Sequence, residues 1–209
     1  MDATKGGPVV VVLVGHPRPD SYTMALAARA AQSARGAGAR VLVHDPYRDG
    51  FDPVLRADES HIVGERPSPE DPVLTRYQRE VSEADALVVV HPNWWGKPPA
   101  MISGWLDRVL VPGVAYRLSA PGSLPTSLLR IRQVVVVNTT ETSAAREAAD
   151  LGDPLQDMWT RCVAGYLGAD GRAPVDRYVL ADVTAAGQQQ RVRWLDDVDA
   201  AVDNVVRSL

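Results

Sequence analysis

Five short runs of almost unbroken aliphatic and β-branched residues constrain this chain more than anything else in it: Val9–Val14, Val41–His44, Ala86–Val90, Ile131–Val137 and Tyr178–Leu180. A strand with one face in water alternates apolar and polar side chains, so runs without alternation are strands covered on both faces. Helical signals lie between them. Ser21–Ala34 is rich in alanine, Glu70–Ala84 follows Pro-Ser-Pro, and Pro99–Leu110 and Pro154–Leu167 each begin with proline, which suits the first helical turn. Val192, Leu195, Val198, Val202 and Val205 then recur at spacings of three and four, the stripe of an amphipathic last helix. Strands alternating with helices imply an α/β fold, a doubly wound five-stranded parallel sheet of order 2-1-3-4-5. The 209 residues, 1–209, read as a single domain with no internal repeat.

Several function classes drop out on composition. The net charge is −4, so no basic excess exists to displace counterions from nucleic acid. The first apolar run is six residues long and ends in Gly-His-Pro, too short for a membrane span and without a leader's cleavage site. No membrane insertion and a cytoplasmic location are therefore expected. One cysteine, Cys162, excludes an internal disulfide; inside a helical pattern after Trp159 it reads as a buried, inert thiol. His16 and His91 end neighbouring strands but lack a third ligand, so no metal site is expected, and His44 and His61 read as surface residues.

Ligands of open α/β sheets bind outside the carboxyl ends of the central strands. Three loops leave those ends here: Gly15–Thr23, His91–Pro99 and Asn138–Ser143. In the first, Ser21 stands at a helix start with Tyr22 and Thr23 behind it. Such a start, with free N–H groups and hydroxyls, suits an anion, and Ser21 is equally a good N-cap. In the second, Trp94 and Trp95 sit among three prolines and Gly96. They either frame a planar ligand or cover the edge of the core. No glycine-rich dinucleotide or P-loop fingerprint is present. Two further stretches, Pro46–Pro72 and Pro112–Pro125, are long excursions of the kind that serve function or an oligomer interface.

Taken together, His16-Pro17 with Ser21, the block from Pro92-Asn93-Trp94-Trp95 through Gly104-Trp105-Leu106-Asp107-Arg108-Val109 to Gly113-Val114-Ala115-Tyr116, and Thr139-Thr140 resemble the NAD(P)H:quinone oxidoreductase family, the flavodoxin-like quinone reductases that include ancillary reductases of potassium-efflux systems. The resemblance implies a flavodoxin-like fold and a homodimer with a flavin at each subunit boundary. It favours FAD, with FMN the alternative, and NADPH or NADH as hydride donor. Hydride would pass by a ping-pong mechanism to a quinone or related aromatic acceptor. His16, Ser21, Tyr22 and Thr23 would meet the phosphate and ribityl part. Pro92, Asn93, Trp94, Trp95 and Gly96 would line the ring, with Thr139, Thr140, Glu141 and Thr142 at its pyrimidine edge. Tyr116 and Leu118 would face the acceptor. No residue is assigned a catalytic role.

The chain departs from this pattern after the paired threonines. Glu141 and Thr142 replace two glycines, Arg146 and Glu147 fall near the place of a tyrosine, and no histidine follows His91. A carboxylate about 7 Å from a reduced flavin, at an effective dielectric of 20, opposes its charge by about 2 kcal/mol. That makes the two-electron couple more negative by on the order of 40–50 mV. The altered loop keeps open a tailoring reductase for a larger aromatic metabolite; an electron-transfer carrier and a non-catalytic, regulatory subunit that binds a transporter or channel domain are the further alternatives.

Overall fold

The computed structural model describes residues 6–59, 71–118, 125–169 and 171–209. Its elements run β1 (Val9–Val14), α1 (Tyr22–Gly36), β2 (Arg40–His44), α2 (Pro72–Glu83), β3 (Ala86–Pro92), α3 (Ala100–Val109), β4 (Tyr116–Arg117), β5 (Thr126–Ser127) and β6 (Gln133–Thr139). Then come α4 (Ala144–Arg146), a π-helical turn at Glu147–Leu151, α5 (Pro154–Asp157), a second π-helical turn at Met158–Val163, a 3-10 turn at Ala164–Tyr166, β7 (Val175–Leu180) and α6 (Gln188–Ser208). The main sheet is parallel, in the order β2-β1-β3-β6-β7. Counted along its own strands this is 2-1-3-4-5, the arrangement the apolar runs imply.

Valine runs form the middle of the sheet because neither face meets water. Alternate residues of β1 feed opposite layers: Val11 and Leu13 pack with Leu74, Tyr77, Ile102, Trp105 and Trp159 on one side. Val10, Val12 and Val14 pack with Leu26, Ala30, Ala34, Val198 and Val202 of α1 and α6 on the other. The alanines of α1 allow its close approach to the sheet and α6. Ser33 fixes that pairing by donating to the Asp199 carbonyl at 2.7 Å.

Four expectations are corrected. The expected helix Pro154–Leu167 is broken into α5, a π turn and a 3-10 turn. That irregular winding turns Trp159 into the core, 1% exposed, and leaves Cys162 on the surface, so the thiol is not buried. His44 is not a surface residue either: α2 and α3 cover the end of β2, and its ring is fully buried against Tyr77, with centroids 3.9 Å apart. Strand β6 begins two residues later than its apolar run, because Ile131 pairs instead with the Leu167 carbonyl at 3.2 Å. His61 lies outside the described residues.

The first excursion is bolted to α3. Arg108, 1% exposed, donates to both carboxylate oxygens of Glu59 at 2.6 and 2.8 Å and to the Asp52 carbonyl at 2.5 Å. Gly104 makes the crossing possible: a Cβ there would stand 2.2 Å from the Pro53 carbonyl oxygen. In the second excursion, β4 and β5 form a small antiparallel pair.

Candidate functional site

The loops after β1, β3, β6 and β7 meet at the carboxyl ends of the sheet. Strand register places Pro92 beside Thr139 and Thr139 beside Leu180. The Asn93 N–H donates to the Thr139 carbonyl at 2.7 Å, and Thr140 and Val183 exchange further backbone bonds with the β6–β7 end. This gives a floor from which two cavities open.

The first, about 270 Å³, is lined by His16, Arg18, Asp20, Ser21, Tyr22, Thr23, Pro92, Asn93, Trp94, Thr139, Thr140, Glu141, Val183, Thr184 and Arg191. Ser21 is the N-cap of α1, its Oγ accepting from the Met24 N–H at 3.3 Å. The N-cap reading of Ser21 holds, and because capping uses the Met24 donor, the first N–H groups of the helix stay outside its own ladder. Thr23 and Thr139 share a hydroxyl hydrogen bond at 3.3 Å. His16 accepts from the Arg18 N–H at Nδ1, 3.1 Å, so the neutral ring carries its proton on Nε2. Burial holds its pKa below the ordinary histidine value. Burial likewise pushes the Tyr22 hydroxyl up to about 12, and it donates to the Arg191 carbonyl at 2.6 Å.

The second cavity, about 420 Å³, is lined by Asn93, Trp95, Gly96, Thr140, Thr142, Arg146, Glu147, Leu151 and Pro154. Asn93 and Thr140 belong to both cavities, so they adjoin there. Trp94 and Lys97 exchange backbone bonds of 3.1 and 3.2 Å around a tight turn. Its central residues, Trp95 and Gly96, both take the left-handed backbone, φ 61° and 71°. A tryptophan held there is strained, by roughly 1–3 kcal/mol, and such strain concentrates at functional sites. Trp95 is also 97% exposed. The turn is set by Asn93, whose Oδ1 accepts from the Gly96 N–H at 3.0 Å while its Nδ2 donates to Glu147 Oε1 at 2.9 Å. Among the described residues the Trp95 and Glu141 N–H groups have no acceptor, which leaves them as donors beside the cavities.

The structure thus brings His16, Ser21, Tyr22, Thr23, Pro92, Asn93, Trp94, Trp95, Gly96, Thr139, Thr140, Glu141 and Thr142 to one edge of the sheet. It does not bring Tyr116 and Leu118 there. Tyr116 packs edge-on against Tyr166, ring centroids 5.0 Å apart, and neither residue lines either cavity.

Sequence reasoning missed Arg191 and Glu147. Arg191 reaches back from α6 to the Val183 and Ala186 carbonyls at 2.9 and 3.1 Å and lies over the Tyr22 ring at 5.5 Å. The loop after β7 is a carboxyl-end loop too, and applying the crevice rule to this edge strand would have found it. Glu147 was noticed only as a substitute for a family tyrosine. Its burial, 3% exposed, depends on a π turn that no sequence period reveals. His91 lies beneath the floor, fully buried, with Nε2 accepting from Asn138 at 2.9 Å and Trp159 at 3.2 Å. Its Nδ1 donates to the Pro92 carbonyl at 2.9 Å, and burial lowers its pKa to about 4.

The family model described as "Flavodoxin-like fold" matches residues 9–199. The chain belongs to the flavodoxin-like fold family. It is 35% identical over 107 residues to a protein named uncharacterized NAD(P)H oxidoreductase YcaK from Escherichia coli (strain K12), covering 51% of this chain and 55% of that protein. It is 28% identical over 175 residues to the Mus musculus ribosyldihydronicotinamide dehydrogenase [quinone], covering 73% of each. The chain thus spans between about half and three quarters of the length of these relatives. A solved NAD(P)H:quinone oxidoreductase from Methanothermobacter marburgensis has the same flavodoxin-like fold, with a TM-score of 0.80 at 23% identity over 95% of this chain and 99% of that one.

Proposed function

We propose that this protein is a flavin-dependent NAD(P)H oxidoreductase that delivers hydride to a quinone or related aromatic acceptor. The observation that carries the reading is the pair of adjoining cavities. One is built on the free end of α1 with hydroxyls and two arginines, and the other lies between an exposed tryptophan turn and a buried carboxylate. That pairing fits a ligand with a phosphate at one end and a planar, polar-edged ring at the other. The names of the E. coli and mouse relatives agree with the activity.

In this reading the phosphate end of FAD or FMN lies against Ser21, Tyr22 and Thr23, where the α1 dipole favours negative charge and the Arg18 and Arg191 guanidinium groups offset the Asp20 and Glu141 carboxylates of the same cavity. His16, neutral at physiological pH, offers Nε2–H as a donor. The ring end lies by Trp94, Trp95 and Gly96, with Thr140 and Thr142 at its polar edge. The flavin supplies the centre that takes hydride from NADPH or NADH and passes it on. The chain's share is to bind, orient and shield that centre. A second copy of the chain covers Trp95 and brings Tyr116 and Leu118 to the acceptor, which accounts for a large apolar side chain left bare in one copy. Donor and acceptor then use one place in turn, which is a ping-pong order.

The test is direct. The purified protein should take up FAD or FMN, run as a dimer, bleach with NADPH or NADH in stopped flow, and give parallel double-reciprocal lines with a quinone. A protein that takes up neither flavin overturns the reading; intersecting lines overturn the ping-pong order alone.

A further inference from the structure

Glu147 is the least explained residue of the ring-side cavity. Its main chain is fully used: the N–H donates to the Ser143 carbonyl at 2.9 Å, and its own carbonyl accepts from Gly152 and, at 3.3 Å, from Asp153. One carboxylate oxygen, Oε1, accepts from Asn93 Nδ2. That amide cannot turn over, because its oxygen is already held by the Gly96 N–H. The other oxygen, Oε2, is buried and has no hydrogen-bond partner among the described residues. A buried acceptor left without a donor is destabilising, and more so when it belongs to a carboxylate. Native proteins rarely tolerate this unless something outside the chain supplies the donor.

Resting on the flavin reading above, we infer that Glu147 Oε2 accepts the ring N–H of the bound flavin, so that a side-chain carboxylate, fixed by Asn93, reads the pyrimidine edge. An oxidised isoalloxazine ring has one N–H, at N3, so the donor is fully specified. Asn93 is then a positioning residue: it sets the Trp95–Gly96 turn and the carboxylate together, which couples the shape of the ring site to its polar edge. Glu147 is also the carboxylate on the ring side of the site. Glu141, the one noted from sequence, is tied instead to Thr184, whose hydroxyl and N–H it accepts at 2.5 and 3.1 Å.

There is a competing internal explanation. Asp153 Oδ1 and Arg177 Nη2 are buried without partners as well, and a trapped water joining them to Glu147 would make the carboxylate purely structural. Binding of a modified flavin separates the two. Dissociation constants of FMN and of its 3-methyl derivative, which lacks the N3 donor, are measured by fluorescence quenching on the apoprotein of wild type, Glu147→Gln and Glu147→Ala. Wild type should prefer FMN by about tenfold or more, the size of a charge-assisted hydrogen bond. Glu147→Gln keeps the volume and presents an N–H to an N–H, so FMN should weaken by a similar factor while the methyl derivative changes little. Glu147→Ala should also lose the preference. An FMN preference that stays the same in both variants overturns the inference and leaves the flavin reading intact. A wild-type protein that binds neither FMN nor FAD overturns both; where FAD alone binds, the same comparison is made with FAD and its 3-methyl derivative.

Discussion

Two buried polar centres, one on each side of β3, differ in a way that separates architecture from function. Under α2 and α3, His44 donates Nε2–H to Glu80 at 2.8 Å, accepts from Trp105 Nε1 at 3.2 Å and stacks on Tyr77, which donates to Asp49 at 2.5 Å. Arg108 closes the same side by clamping Glu59. Among the described residues no buried side-chain nitrogen or oxygen of this centre lacks a partner. At the carboxyl ends, Asn93, Glu147, Asn138, His91, Asp153 and Arg177 form an equally buried network. All three buried side-chain atoms without partners among the described residues belong to it: Glu147 Oε2, Asp153 Oδ1 and Arg177 Nη2. A complete network explains itself as structure. An incomplete one calls for a missing partner.

The comparison breaks most visibly at Arg108. Removing this guanidinium in Arg108→Ala takes from the Glu59 carboxylate its bidentate charged partner and leaves it the weaker Arg56 N–H at 3.3 Å, at a cost of about 3 kcal/mol, the lower end for a broken buried pair. For a chain of this length that lowers the melting temperature by roughly 10 °C. The effect should appear in thermal unfolding of the apoprotein, with flavin affinity at the temperature of measurement nearly unchanged. A loss of flavin affinity without a loss of stability would show that the closed centre is not merely architectural.

Both centres contain a histidine kept neutral by burial, and here they should behave alike. Burial lowers the pKa of His44 to about 3 and that of His91 to about 4, from an ordinary value of 6.5. Below that ordinary value the unfolded chain binds protons that the folded one refuses, so stability falls as pH falls and continues to fall until the folded pKa is reached. Each histidine contributes up to about 1.4 kcal/mol per pH unit in that window. Glu80, whose carboxyl is pushed up by burial, acts in the opposite sense where the folded protein holds its proton and the unfolded chain has released it. Urea unfolding at a series of pH values between 6.5 and 4 should show the acid slope. His44→Gln and His91→Gln should each remove part of it; an unchanged slope in either variant removes that histidine from the account.

What the sequence made legible follows the same division. Continuous valine in β1, β3 and β6 can only mean burial on both faces, so sheet and strand order were readable, and the crevice rule then pointed to His16, Asn93 and Thr140 without any contact being known. The features that escaped depend on tertiary packing. Ile131 is as apolar as the strand that follows, yet a loop contact claims it. The π turns at Glu147–Leu151 and Met158–Val163 carry no period of their own, so neither the burial of Glu147 nor the exposure of Cys162 could be read. Arg191 faces the cavity only because α6 lies beside α1.

The smallest effect concerns the two carboxylates of the altered loop. Read from sequence, Glu141 alone should make a bound flavin more reducing by on the order of 40–50 mV. In the structure Glu141 is exposed, its charge is spread into two hydrogen bonds from Thr184, and it lines the phosphate-side cavity. Screening by water at the same separation cuts the interaction about fourfold, to roughly 10–15 mV. Glu147, buried on the ring side, lacks that screening. Spectroelectrochemical titration of the flavin should therefore show a small rise in midpoint for Glu141→Gly and a larger one for Glu147→Gln. The reverse order would place the governing charge at the exposed residue, and burial would no longer be what distinguishes the two.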